Sequence, residues 1–257
     1  MSAALAWQVA GTSVAGPCHA NDDCQDRHRV LVTPGGVLIA VVSDGAGSAK
    51  YSGDGAALLC EHVADALVNL LGRSKPKSVA ADSLGQAVRD GIAKAREAAL
   101  ALGIEREAGL EAFHATLVGA VVVPGKGGLF FHIGDGAALA VSPAGERWLL
   151  SPPSNGEYAD TTYFFTEQDW QANLRFSPIE PGYETIFVMT DGVTDLGLQG
   201  SQPHMPFFDP IGRFLAGASR EEGELALRAT LDSEAARGRT GDDKTLVWAQ
   251  AAQAPAR

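Results

Sequence analysis

The chain has 257 residues, of which 46% are hydrophobic, so it can form one large domain with a buried core. Its formal net charge of -11 disfavours binding to nucleic acid or to an anionic membrane surface through a general electrostatic field. Three cysteines are too few for a disulfide framework or a cysteine-based zinc site, and the first residues lack a signal-peptide pattern, so we expect a cytoplasmic protein.

Strands are predicted for the first part of the chain. Residues 5–14 alternate in polarity, as a half-buried strand does. Residues 29–33 run through a Pro-Gly-Gly turn into residues 37–42, a largely β-branched apolar run that is typical of a strand buried on both faces. The short turn predicts that these two strands pair as a hairpin.

The second strand of this hairpin ends at an acid. Asp44-Gly45 follows the buried run, and Gln25-Asp26 precedes the partner strand, so the hairpin should bring these residues together. A capping aspartate in an ordinary turn is the alternative for a single Asp-Gly pair. Recurrence of the same pattern favours a functional site.

Two long helices and a second group of strands follow. Apolar residues at helical spacing predict helices over residues 52–72 and 79–102. Residues 199–210 are predicted to form a loop and residues 220–237 a final amphipathic helix. Short apolar runs between the helices and that loop predict an antiparallel meander, with strands over residues 115–123, 129–133, 137–141 and 146–150. This order of elements predicts an α+β layered fold.

Residues 151–178 interrupt this order. The segment contains three prolines, an Asn-Gly pair and six aromatic residues, which is too long and too aromatic for a bare connection. It should therefore form either a packed lid beside an active site or a structured insertion over one sheet edge.

Acids recur at the ends of other predicted strands. Asp135 lies in a Gly-Asp-Gly sequence after one strand, Asp191 follows another, and Asp242-Asp243 comes immediately before a strand. If these ends converge with Asp44, the cluster needs cations to offset its negative charge. Oxygen ligands without histidine favour Mg²⁺ or Mn²⁺ over zinc.

The chain resembles the metal-dependent type 2C protein serine/threonine phosphatases, with a bacterial-like pattern, in six motifs. These are, in order, Gln25-Asp26, Asp44-Gly45-Ala46-Gly47, Ala115-Thr116-Leu117, Gly134-Asp135-Gly136, Asp191-Gly192 followed by Asp195, and Asp242-Asp243-Lys244-Thr245. The resemblance implies two stacked antiparallel β-sheets flanked by helices on both sides, a four-layer α-β-β-α sandwich. Residues 1–257 would then form a single catalytic domain.

The resemblance also implies a site for two Mn²⁺ or Mg²⁺ ions. Asp44 matches the carboxylate that bridges both ions, and Gly45 matches the residue that contributes a backbone oxygen. Asp191 and Asp242 complete the ligands of the first ion. Two such ions can activate a water molecule for in-line attack on phosphorus, so the reaction needs no nucleophilic side chain.

Further residues take roles from the same resemblance. Asp26 would hold metal-bound water, and Asp135 with Asp195 would form a weaker third metal site. Gln25 replaces a glutamate of the family and lies where substrate binds. The phosphate-binding arginine has no clear counterpart, and His19 is the nearest candidate for both substrate binding and catalysis. A structural role in pinning its loop is the alternative for His19.

The implied function is hydrolysis of phosphoserine and phosphothreonine on proteins. The expected partners are phosphorylated proteins, such as a serine/threonine kinase or its targets, and the expected state is a monomer that binds neither nucleic acid nor membrane. Two alternatives stay open. One is a catalytically weak member of the fold that senses phosphate or acts as a scaffold, and the other is a phosphohydrolase of small phosphate esters.

Overall fold

The computed structural model describes residues 5–19, 24–73, 79–123, 125–143, 145–154 and 162–253. Two antiparallel sheets of five strands each form its centre. The first sheet has, in spatial order, β1 (Leu5–Val14), β12 (Lys244–Gln253), β9 (Thr185–Met189), β6 (Ala137–Val141) and β7 (Trp148–Ser151). The second has β2 (Arg27–Val32), β3 (Leu38–Ser43), β4 (Leu117–Val123), β5 (Gly127–Ile133) and β8 (Arg175–Ile179).

Helices lie outside both sheets. They are α1 (Ser52–Arg73), α2 (Ala81–Glu105), α3 (Trp170–Asn173), α4 (Asp191–Gly197), α5 (Met205–Leu215), α6 (Arg220–Leu231) and α7 (Glu234–Arg237). A two-stranded hairpin, β10 (Leu198–Gln199) with β11 (Gln202–Pro203), and the 3₁₀ turns Pro17–His19 and Leu110–Phe113 complete the elements. The predicted hairpin is confirmed, since β2 pairs with β3 from Arg27 opposite Ser43 to Val32 opposite Leu38.

The buried side chains fall into three groups that separate four layers. One group fills the space between the sheets and includes Val42, Val118 and Val247. A second lies between α1, α2 and the second sheet, and a third lies between the first sheet and α4 to α6. Strands β3 and β4 are buried along their whole length because both of their faces are covered. The predicted α-β-β-α sandwich is therefore confirmed.

The predicted meander is wrong at one step. Strands β5 and β6 do not pair, because β5 belongs to the second sheet and β6 to the first. The chain crosses between the sheets at Gly134-Asp135-Gly136, where Gly134 has a φ of 103° that favours glycine. A short glycine-containing turn looks the same in the sequence whether it closes a hairpin or changes sheets. Because the chain changes sheets here, Asp135 lies between the two sheets.

Two predictions near the C-terminus also need correction. The single helix expected over residues 220–237 is broken, because Ser233 accepts a hydrogen bond from the Ala236 N–H and starts α7 as a new N-cap. The loop expected over residues 199–210 instead contains β10, β11 and the start of α5. Phe208 is the buried anchor of α5 on the first sheet.

The segment 151–178 is structured where it is described, although residues 155–161 lie outside the described residues. Phe165 and Trp170 are buried in the same group as α1 and α2. Arg96 of α2 donates hydrogen bonds to the carbonyls of Phe165 and Glu167, the second at 2.9 Å. Strand β8 then pairs with β5 and closes that edge of the sheet.

Helix α1 has, over Ser52–Gly72, the length and apolar composition that could cross a membrane, with a mean hydropathy of 1.3 in its most apolar window. Its apolar face is nevertheless occupied by protein. Leu59, Val63 and Leu67 are fully buried in the group that also contains residues of β3 and α2. We therefore interpret α1 as a core helix of the sandwich.

Gly91→Ala should destabilise the fold, because helix α2 approaches α1 most closely there. A Cβ at Gly91 would lie 2.6 Å from the Val63 Cα, so the two helices would have to move apart. We expect a loss of about 1–3 kcal/mol in the free energy of unfolding.

Gly85→Ala is the matched control on the same helix, since its Cβ would make only ordinary contacts, the nearest at 3.5 Å. It should stabilise the protein by about 0.5–1 kcal/mol through helix propensity. Urea unfolding of both variants measures the difference, and equal effects would contradict the close packing of α1 and α2.

Candidate metal centre

Three carboxylates meet at one end of the sandwich. Asp44, Asp135 and Asp191 each offer an oxygen, and these oxygens all lie within 4.8 Å of one another. Asp44 follows β3 of the second sheet, Asp191 follows β9 of the first, and Asp135 lies on the crossing between the sheets. The predicted convergence of these three strand ends is confirmed, and each acid is held by a rigid element.

Asp242 lies beside this cluster at the start of β12. Its negative charge raises the pKa of Asp44, Asp135 and Asp191, although for each of them burial is the larger cause. The fully buried Lys244 donates from Nζ to the carbonyl of Asp242 at 2.7 Å.

Asp26 is the most deeply buried acid of the group, with 1% of its surface exposed. Its Oδ2 accepts a hydrogen bond from the Thr190 hydroxyl at 2.7 Å, whereas its Oδ1 has no partner among the described residues. Burial raises the pKa of Asp26 to about 6, even though the hydroxyl of Thr190 favours the ionised form.

Burial and repulsion among carboxylates also raise the pKa values of the remaining acids. The pKa values of Asp44 and Asp191 lie well above the usual range, because both groups are buried and because each faces other carboxylates. Asp135 shifts in the same direction, and its buried Oδ1 lacks a partner among the described residues. Unpartnered carboxylate oxygens that repel one another are the donor set that hard divalent cations bind, so the residues fit Mg²⁺ or Mn²⁺.

The backbone around Asp44 is held by the Ala-Thr-Leu motif. The Asp44 N–H donates to the Thr116 hydroxyl at 3.1 Å, and the Asp44 carbonyl accepts from the Thr116 N–H at 2.8 Å. A Cβ at Gly45 would lie only 2.8 to 2.9 Å from the backbones of Ser52 and Gln25. Only glycine fits at Gly45 without moving one of these segments.

Asp243 has a structural role that the sequence did not reveal. Its buried carboxylate accepts the N–H of Gly16 at 2.8 Å and the N–H of Gln25 at 2.6 Å. His19 Nδ1 lies 3.1 Å from the same carboxylate. These contacts hold the first loop against the start of β12, and they could only be found from the fold because more than 200 residues separate Asp243 from its partners.

His19 and Gln25 both lie beside the loop that follows Asp44. A Cβ at Gly47 would be 3.5 Å from His19 Nε2 and 4.0 Å from Gln25 Oε1. His19 therefore presents one ring nitrogen to Asp243 and the other toward the Asp44 loop. Such a pair can hold an imidazole in a fixed orientation beside a bound anion.

Thr162 and Asp195 lie at the edge of the site. The Thr162 hydroxyl donates to Asp135 Oδ2, a contact that the sequence did not predict, because Thr162 belongs to the aromatic segment. Asp195 is exposed on α4, one helical turn after Asp191, and is not one of the three converging acids.

The metal-free protein should lose stability as the pH rises. The pKa values of Asp26, Asp44, Asp135 and Asp191 are higher in the folded protein than in an unfolded chain, so the folded state holds these protons more tightly. This contribution is lost as the pH passes the folded values, about 6 for Asp26.

The melting temperature of EDTA-treated protein should therefore fall between about pH 5 and pH 8, and saturating Mn²⁺ should reduce the fall. Asp44→Asn is the control, since it removes one of the repelling charges and should flatten the metal-free profile. A metal-free profile that rises over this range would contradict the mutual repulsion.

A family model for protein phosphatase 2C matches residues 15–232. Serine/threonine-protein phosphatase 3 of Escherichia coli (strain K12) is 29% identical over 262 residues, and the alignment covers 96% of this chain and 100% of that protein.

Solved structures agree on the fold. PppA, described as a key regulatory component of T6SS in Pseudomonas aeruginosa, superposes with a TM-score of 0.62 at 16% identity, over 98% of this chain and 100% of its own. The serine-threonine phosphatase 2C of Toxoplasma gondii has a TM-score of 0.66 at 14% identity, over 98% and 96% of the two chains. The family model spans most of the chain, and Asp44, Asp135 and Asp191 of its motifs converge, so this chain belongs to the protein phosphatase 2C family.

Proposed function

We propose that this phosphatase hydrolyses phosphoserine and phosphothreonine on proteins, with two Mn²⁺ or Mg²⁺ ions as cofactors. The observation that carries the proposal is the meeting of Asp44, Asp135 and Asp191 within 4.8 Å. When bound, the ions supply Lewis acidity, which lowers the pKa of water and offsets the charge of phosphate oxygens.

Each acid has a proposed role. Asp44 would bind both ions, the Gly45 backbone carbonyl would add one ligand, and Asp191 with Asp242 would complete the ligands of the first ion. Asp44 and Asp191 follow buried strands of the two sheets, which suits the fixed spacing that two ions require.

The remaining acids act around this pair. Asp26 orients the attacking water through Oδ1, the oxygen that has no partner among the described residues. Asp135 and Asp195 hold a third, weaker ion. The exposed position of Asp195 is consistent with weak binding at that site.

We also propose that His19 and Gln25 contact the phosphate of the substrate. Both lie beside Gly47 on the Asp44 loop, Asp243 accepts the Gln25 N–H, and His19 Nδ1 lies 3.1 Å from the same carboxylate. A ring in this position can donate from Nε2 to a phosphate oxygen and takes the place of an arginine.

The proposal extends to the whole chain. Residues 1–257 act as one catalytic domain and as a cytoplasmic monomer, and the insertion that contains Thr162 flanks the metal centre through that residue. Its substrates are phosphorylated proteins, such as a serine/threonine kinase or the targets of one.

Phosphate release from phosphoserine, phosphothreonine and phosphotyrosine peptides tests the function directly. We expect release from the first two with Mn²⁺ and none with EDTA. Asp44→Asn, Asp191→Asn and Asp242→Asn should each lose at least ~10²-fold in kcat, because each removes a ligand charge from the ions.

Asp90→Asn, an exposed carboxylate on α2, is the matched control and should keep full activity. Undiminished turnover after exhaustive metal removal would contradict the two-ion mechanism. Release from para-nitrophenyl phosphate alone would favour a small-ester phosphohydrolase. Metal binding without any hydrolysis would favour a phosphate sensor or scaffold.

His19→Ala should raise the KM for a phosphopeptide with little change in kcat. The His19 ring can donate a hydrogen bond to a phosphate oxygen, and alanine removes that donor.

His62→Ala, on α1 and outside the site, is the control for loss of an imidazole. Steady-state kinetics compare the three proteins. An unchanged KM in His19→Ala would leave His19 with a structural role in its loop.

A further inference from the structure

A series of hydrogen bonds lies behind Asp26, and its link between Thr190 and Thr245 is made by the Thr245 backbone N–H. It consists of Thr190 after β9, Thr245 on β12, Ser13 on β1 and His28 on β2. The two threonines are buried, with 1% and 0% of their surfaces exposed. None of these side chains is a proposed metal ligand, yet together they join four strands to one carboxylate.

The Thr190 hydroxyl donates its hydrogen to Asp26. Its oxygen accepts the N–H of Thr245 at 2.9 Å, and it lies 2.7 Å from Asp26 Oδ2. Because the oxygen is already an acceptor from a backbone amide, its own hydrogen goes to the carboxylate. Oδ2 is thereby fixed, and Oδ1 is left free.

Thr245 supports Thr190 through its backbone N–H, and its own hydroxyl is used elsewhere. It stands opposite Ser13 in the pairing of β1 with β12, and its hydroxyl donates to the Ser13 hydroxyl at 2.7 Å. The Ser13 hydrogen then goes to His28 Nδ1, at 2.9 Å. Burial lowers the pKa of His28, which keeps Nδ1 available as an acceptor.

We propose that Thr190, held by the backbone N–H of Thr245, is a positioning residue that keeps the Asp26 carboxylate in the orientation needed for water attack. This inference rests on the proposed role of Asp26 in orienting that water. Without the Thr190 hydroxyl, Asp26 would still be buried beside Asp44, but its carboxylate could rotate. The fraction of productive orientations would fall, and substrate binding would not change.

Removal of the hydroxyl tests the inference. Thr190→Val keeps the shape of the side chain and should lower kcat by about 10-fold, as loss of a group that orients a metal-site residue does. The KM for a phosphopeptide and the Mn²⁺ dissociation constant from calorimetry should stay within about twofold of the unaltered values.

Two further variants separate positioning from structural support. Thr190→Ser returns the hydroxyl and should restore most of kcat. Thr12→Val removes a hydroxyl from the neighbouring position of Ser13 on β1, where the side chain points to the opposite face, and should leave kcat unchanged. If Thr190→Val fails to fold, Thr190→Ala carries the same test.

Asp26→Asn separates the effect of the hydroxyl on Asp26 from any other effect. If the Thr190 hydroxyl acts only through Asp26, Thr190→Val should cause no further loss of kcat in Asp26→Asn. A full additional loss there, or a loss of Mn²⁺ affinity in Thr190→Val alone, would overturn the positioning role.

The same variants distinguish this inference from the proposed function. Full activity of Asp26→Asn would refute the proposed role of Asp26 and, with it, this inference. An impaired Asp26→Asn together with a Thr190→Val that behaves like Thr12→Val would refute this inference alone.

Discussion

Repulsion among carboxylates at one end of the sandwich is the constraint on which the rest of the structure depends. Asp26, Asp44, Asp135 and Asp191 are each brought into a space where burial and like charges disfavour ionisation. A flexible loop would relieve this repulsion by moving its acid into water. The sandwich prevents such movement, because each acid follows or precedes a strand that is buried between layers.

The acids are held by groups that carry no charge of their own. Thr116 holds the backbone of Asp44, and the hydroxyls of Thr190 and Thr162 donate to the carboxylates of Asp26 and Asp135. Neutral donors favour the ionised carboxylate without adding a positive charge, whereas arginines at the same positions would reduce the need for metal. Asp243 takes no part in the cluster itself, since its oxygens are occupied by the backbone of Gly16 and Gln25.

The sequence predicted the parts of the site that depend on one strand and its end. Asp44, Asp135 and Asp191 could be found because an apolar run followed by an acid is a local pattern, and the recurrence of that pattern suggested convergence. The sheet change at Asp135 could not be found, because a Gly-Asp-Gly turn has the same sequence in a hairpin. Thr162 and Asp243 were missed for a related reason, since each acts on a partner that is distant in the chain.

The distant contacts also explain how one pair of neighbouring residues serves two purposes. Asp242 and Asp243 are the two residues before β12, and they have different partners although they are adjacent. Asp242 acts electrostatically on the cluster, and Asp243 ties the first loop to the same strand by accepting the N–H groups of Gly16 and Gln25. Thr245, two residues after Asp243, donates its backbone N–H to the Thr190 hydroxyl that holds Asp26. A single strand thus links the candidate phosphate-binding loop, the metal ligands and the water-orienting acid, and a shift in its register by one residue would separate all three.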